Sequence, residues 1–193
     1  MRIGLLGGSF NPPHEGHAHI TRLALRRLQL DRVWWLVTPG NPLKSQGDLA
    51  ALQKRVEAAR RLDAGPRVVV TDIEARIGSR YTYETLAWIK RRAPSVHFVW
   101  IMGADNLREF HRWRHWRAIA DLMPILVVDR PGSTLSATSG PAGAALARFR
   151  VPERDAARFA VMRPPALMFL HGRRSMLSST ALRRTGGEAE DGS

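Results

Sequence analysis

The densest chemistry in the chain lies in Gly7-Gly8-Ser9-Phe10-Asn11-Pro12-Pro13-His14-Glu15-Gly16-His17. Paired Gly and paired Pro exclude regular structure over most of it. A β-prone run, Arg2–Leu6, precedes it, and a helical pattern follows from His17 to Leu30. The segment is therefore a strand-to-helix turn. A helix start presents unpaired N–H groups and a positive dipole end to an anion. His14 and His17 flank Gly16 at that start, which places two imidazoles near the same donors, and Gly16 lets a ligand approach the backbone closely. The chemistry this suits is work at a phosphate. The pattern is neither Gly-x-Gly-x-x-Gly nor a Walker A loop. A lone His is more often a cap or a packing residue, but two at a Gly-rich turn favour function.

A second segment has related chemistry. Ser178, Ser179 and Thr180 offer hydroxyls and N–H groups at another helix start, and Arg183 follows one turn later, placed to grip a phosphate in bidentate fashion. Alone, this is a plain Ser/Thr N-cap; beside the histidine turn it reads as a second phosphate cradle. Lys44 follows Pro39-Gly40-Asn41-Pro42-Leu43, in a chain with only three lysines. Lys54 and Lys90 fall on helices and read as solvated surface. Trp113 and Trp116 stand at helical spacing, where indoles are usually core. Trp34, Trp35, Trp88 and Trp100 are assigned to the core, and the histidines other than His14 and His17 receive no role.

Positioning these residues requires an ordered scaffold. Apolar strands are expected at Val33–Thr38, Arg67–Thr71, Val96–Met102 and Ile125–Asp129, with a last one at Pro164–Leu170. Helices are expected at Leu49–Leu62, capped by Asp48, and at Thr82–Arg92, Asn106–Phe110, Trp116–Leu122, Ala144–Phe149, Asp155–Val161 and Ser178–Arg184. Residues 130–142 read as a flexible loop. Alternating helices and apolar strands predict an α/β fold: one Rossmann-like domain over 1–185, a doubly wound, mainly parallel sheet with helices on both faces. The acidic stretch 186–193 reads as a disordered tail.

Composition bounds the function. At 193 residues, 44% hydrophobic and 24% charged, the chain suits one globular core. No apolar run is long enough for a membrane span. Cysteine is absent, which excludes disulfides, thiolate metal sites and Cys nucleophiles. A cytoplasmic protein with no membrane partner is expected. The net charge of +13 favours anionic partners, although arginine's dominance over lysine also suits a plain basic surface.

Gly-Gly-Ser-Phe-Asn-Pro-x-His-x-Gly-His resembles the signature of the His-x-Gly-His nucleotidyltransferase superfamily. Within it the chain is similar to the bacterial nicotinate-nucleotide adenylyltransferases, over nearly its whole length. Tyr81-Thr82-x-x-Thr85-Leu86, Gly103-Ala104-Asp105-Asn106-Leu107 followed by Trp113, Arg130-Pro131-Gly132, and Leu177 to Arg183 all resemble family segments. The resemblance implies transfer of the adenylyl group of ATP to nicotinate mononucleotide, with release of pyrophosphate. It implies catalytic roles for His14 and His17. ATP and its phosphates would meet Gly8, Ser9, Phe10, Gly16, Lys44, Ser179, Thr180 and Arg183. The nicotinate nucleotide would meet Thr82, Asp105 and Trp113, with Trp113 stacking on the pyridinium ring. Mg²⁺ would ride on ATP, with no protein metal site. Nicotinamide mononucleotide and phosphopantetheine are the alternative acceptors. A basic nucleic-acid-binding protein is the reading from another class, against which stand scattered arginines and no nucleic-acid motif.

Overall fold

A computed structural model describes residues 1–40, 51–128 and 138–171. Its strands are β1 (Arg2–Gly8), β2 (Arg32–Val37), β3 (Val68–Thr71), β4 (His97–Gly103), β5 (Ile125–Val128), β6 (Arg150–Val151) and β7 (Leu167–Leu170). The helices used below are α1 (Glu15–Arg27), α2 (Leu52–Arg61), α3 (Ile73–Arg76), α4 (Thr82–Arg92), α5 (Ala104–Phe110), α6 (Trp116–Leu122), α7 (Pro141–Ala145) and α8 (Ala156–Phe159).

The seven strands form one sheet in the order β3-β2-β1-β4-β5-β7-β6. Every pairing is parallel. The doubly wound architecture expected from the sequence is therefore the one observed. Side chains alternate faces along each strand, and a sheet covered on both sides needs apolar residues at every position. Leu6, Trp35 and Ile101 pack on one face with Leu25 of α1, Val56 of α2 and Phe159 of α8. Leu5, Trp100 and Val127 pack on the other with Leu86 of α4, Phe110 of α5 and Ile119 of α6. The chain winds outward from β1 to β2 and β3, then crosses back to β4 and continues the other way. The C-terminal ends of β1 and β4 thus flank the topological switch point, where open α/β sheets bind ligands.

Several boundaries differ from expectation. α1 begins at Glu15, two residues early, because His14 takes the cap position. The second helix begins at Leu52 behind Ala51, which makes no side-chain cap bond; Leu49 and Asp48, its expected start and cap, lie outside the described residues. The helix expected at Ala144–Phe149 is instead α7 followed by a 3₁₀ turn at Ala147–Phe149. Pro141, suited to the first helical position, starts it within the stretch expected to be loop. The helix expected at Asp155–Val161 is shorter, Ala156–Phe159, behind a 3₁₀ turn at Glu153–Asp155. The last strand starts only at Leu167, since two prolines precede it. Trp35 and Trp100 are fully buried, whereas Trp34 and Trp88 are partly buried at the rim of the core. Lys44, Asp48, Ser178, Ser179, Thr180, Arg183, most of the 130–142 loop and the acidic tail lie outside the described residues.

The switch point leaves no spare room. A Cβ on Gly7 would stand 2.4 Å from Cη2 of Trp100, a buried ring wedged against Trp113. Gly7→Ala is expected to destabilise the fold by about 1–3 kcal/mol, the usual cost of overpacking. Urea unfolding measures this as a lower midpoint; an unchanged midpoint would show that the indole yields freely.

Candidate active site at the switch point

The turn after β1 is fixed from behind. The Gly8 carbonyl accepts the Thr38 N–H at 3.0 Å. Phe10 has a left-handed φ of 47°, uncommon outside glycine, and its side chain is completely buried. Its ring stacks on Trp35 at 5.1 Å and lies 4.6 Å from the His17 ring. Phe10, expected among the nucleotide contacts, therefore places its side chain in the core as a floor for His17. Only its main chain is left to meet a ligand.

The two histidines both cap α1. Nδ1 of His14 accepts the Gly16 N–H at 3.1 Å, and the His14 N–H donates to Nδ1 of His17 at 3.2 Å. This is a capping box built from imidazoles. The His17 N–H is engaged as well, donating to the His14 carbonyl at 2.9 Å. The ring centroids are 3.9 Å apart. Because each Nδ1 accepts a hydrogen bond, each neutral ring must carry its proton on Nε2. Capping thus does not compete with chemistry. It leaves Nε2 as the protonated nitrogen of each neutral ring. It also means that imidazole edges replace two of the helix-start N–H groups as the donors on offer.

Arg55 of α2 completes the support. It is 3% exposed, and its Nη1 donates to the carbonyls of Ser9 and Thr38, both at 2.7 Å. Its Nη2 donates to the Pro39 carbonyl at 3.2 Å. One guanidinium therefore ties the turn after β1 to the loop after β2. Burial pushes its pKa below the ordinary arginine value. Sequence reasoning passed over Arg55, although a signal existed: it sits on the apolar stripe of Leu52, Val56 and Ala59, where a charge must find partners.

On the other side of the switch, Gly103 ends β4 and is the N-cap of α5, whose first turn carries the exposed Asp105. Trp113 is half-buried and meets Trp100 and Phe110 edge-on, at 6.3 Å and 5.5 Å. Trp100 in turn borders Gly7, so a single indole separates the histidine turn from Trp113. Trp116 packs edge-on against Phe110 at 5.7 Å, and Arg117 lies over its ring. Thr82 opens α4, and its N-cap, Tyr81, makes no side-chain cap bond. The Arg114 guanidinium covers the Tyr81 ring at 4.6 Å, and His115 lies 5.3 Å from the Tyr83 ring. These contacts bring the start of α4 beside the Trp113–Trp116 turn. Thr82 and Trp113, expected to share one substrate, thus lie on joined elements.

The model of the family described as cytidylyltransferase-like matches residues 5–185. A protein of Methylorubrum extorquens, named "Probable nicotinate-nucleotide adenylyltransferase", is 62% identical over 95% of this chain and 99% of its own. The chain belongs to the nicotinate-nucleotide adenylyltransferase family. A member from Bradyrhizobium sp. with the same name is 57% identical over 97% of both chains. The fold is shared more widely. The Plasmodium falciparum nicotinic acid mononucleotide adenylyltransferase complexed with NaAD superposes with a TM-score of 0.70 at 15% identity, over 94% of this chain and 82% of that one.

In this adenylyltransferase the switch point brings the histidine turn and the start of α5 to adjoining strand ends. Among the described residues, no group of three or more His, Asp or Glu converges to hold a metal ion. Also among the described residues, no helix is long and apolar enough to cross a membrane.

Proposed function

We propose that the chain transfers the adenylyl group of ATP to nicotinate mononucleotide, forming nicotinate adenine dinucleotide and releasing pyrophosphate. The observation that carries this reading is the imidazole capping box at the end of β1, in which both Nδ1 atoms accept backbone N–H groups. The attacking group is a phosphate monoester, whose second pKa near 6 leaves it mostly dianionic at neutral pH. No general base is needed. The barrier lies in bringing anions together and in spreading charge over the α-phosphate as it is attacked in line. His14 and His17 donate to α-phosphate oxygens, with Gly8, Ser9 and Gly16 lining the approach. Lys44, Ser179, Thr180 and Arg183 hold the outer phosphates. Thr82 and the adjoining N–H groups of α4 receive the nicotinate carboxylate, Asp105 meets the ribose or shapes its turn, and Trp113 stacks on the pyridinium.

Mg²⁺ would come with ATP rather than sit on protein ligands, and would supply positive charge at the phosphates. Residues 1–185 act as one catalytic unit, and the supply of ATP and mononucleotides favours a cytoplasmic location.

The test supplies ATP and Mg²⁺ with nicotinate mononucleotide, nicotinamide mononucleotide or phosphopantetheine in turn, and measures pyrophosphate. Release is expected to be fastest with the nicotinate acceptor. A preference for either other acceptor moves the assignment to it. Silence with all three, together with salt-sensitive binding to nucleic acid, would instead favour the basic-binder reading.

A further inference from the structure

The bond from the Thr38 N–H to the Gly8 carbonyl, at 3.0 Å, closes the β1–β2 ladder. Beyond it one chain segment enters the histidine turn and the other enters the loop after β2. The Arg55 guanidinium spans the two at that point, through the carbonyls of Ser9 and Thr38 at 2.7 Å each and that of Pro39 at 3.2 Å. Burying such a charge is costly unless its donors are met, and here three carbonyls from two segments meet them. The side chain also leaves from a firm base. Val56 and Ala59 of α2 lie in the same core cluster as Phe10 and Trp35.

The Ser9 carbonyl governs the residue that follows it. A peptide unit is planar, so a carbonyl held in one direction also fixes the following nitrogen and the axis about which Phe10 turns. Phe10 has a φ of 47°, which a residue with a Cβ keeps only where its surroundings impose it. Two contacts do so. Arg55 grips the Ser9 carbonyl on one side of Phe10, and the Phe10 ring stacks on Trp35 at 5.1 Å on the other. In that conformation the Phe10 ring lies 4.6 Å from the His17 ring, with Trp35 at 6.1 Å from the same imidazole. Contact therefore runs without a break from the guanidinium to the Ser9–Phe10 peptide, to the Phe10 ring, to His17.

We infer that Arg55 is a positioning residue for His17: by holding the Ser9 carbonyl it keeps Phe10 in the left-handed conformation that lays its ring beneath the imidazole. Its effect on turnover rests on the reading of His17 as a phosphate donor in adenylyl transfer.

Arg55→Met and Arg55→Lys test this in the full chain, at a temperature where circular dichroism shows each variant folded. The first readout is the single-turnover rate constant, with enzyme in excess, saturating ATP and Mg²⁺, and whichever of the three acceptors above the wild type uses. An inactive fraction of protein lowers the amplitude of such a trace but not its rate constant, so lost stability alone does not register. Arg55→Met is expected to react about 10–100-fold more slowly, the scale of misplacing a reacting group by roughly an ångström. Arg55→Lys keeps the charge but not the planar fork and should react about 3–10-fold more slowly. In both, KM for the acceptor stays within about twofold of wild type, because the acceptor's own contacts are untouched. A folded Arg55→Met protein with the wild-type rate constant overturns the inference, as does an acceptor KM that rises as far as the rate falls.

The second readout needs no turnover. The carbon-bound protons of the His17 ring lie beside the Phe10 and Trp35 rings, whose ring currents shift their NMR signals. Those signals should move in Arg55→Met, while the ring signals of His97, at the opposite end of the sheet, stay in place. Unmoved His17 signals overturn the inference. Should Arg55→Met fail to fold, the same outcomes in Arg55→Lys decide. Absence of wild-type turnover with all three acceptors would refute the proposed reaction alone, and the His17 signals would still decide whether Arg55 positions that ring.

Discussion

A His17→Ala protein is expected to turn over about 10²–10³-fold more slowly at saturating substrates, the scale of losing one donor to a transition state. The structure sharpens this, because His17 performs two tasks with two nitrogens. Its Nδ1 accepts the His14 N–H and helps to begin α1; in the proposed reaction its Nε2 would offer a proton to phosphate. Alanine removes both, and the lost cap costs about 1 kcal/mol. Asn can place a carbonyl oxygen near the Nδ1 position but does not reach as far as Nε2. His17→Asn should therefore keep most of the thermal stability and still lose turnover to the same degree as His17→Ala. Single-turnover rates together with melting curves would separate the two tasks. Near-normal catalysis by a folded His17→Asn protein would remove His17 from the reaction.

Arg55→Met should show the largest loss of stability. Methionine fills similar space but donates nothing, so the carbonyls of Ser9, Thr38 and Pro39 lose a charged donor in a buried setting. Bonds to charged donors contribute about 1.5–3 kcal/mol each, and the two short ones alone predict a loss of roughly 3 kcal/mol or more. Denaturant unfolding should show a lower midpoint with an unchanged slope. Lysine can reach one or two of the carbonyls with its single ammonium and should fall in between. An Arg55→Met protein as stable as wild type would mean that water or a neighbour replaces the guanidinium.

Much of this arrangement was legible before the fold was known. α4 and α6 have the limits that periodicity predicts, and β1, β2 and β4 were found within a residue or two of their ends. Long apolar runs and clear stops make such elements easy to place. The two-residue β6 and the four-residue α3 are too short to leave a pattern, and they exist because β7 and β2 give them partners. The histidine turn was legible because two imidazoles beside paired glycines are chemically unusual. The side-chain placement of Phe10 was not legible: its left-handed backbone turns the ring inward under His17. Arg55 was missed because a single charged letter in a helix ordinarily means a wet surface, and only the tertiary contacts reveal that it is enclosed.

The two-sided covering of the sheet has a last consequence. α1 and α2, which carry the histidine turn and the guanidinium behind it, belong to one layer of helices. α4 and α5, which carry Thr82 and Asp105, belong to the opposite layer, together with Trp113. On the proposed assignment of roles, donor handling and acceptor choice would draw on separate packing environments that meet where the strands end. Mutation would then retune the acceptor side without disturbing the adenylyl donor's seat, so that a lineage built on this scaffold could exchange one cargo for another while keeping its fuel.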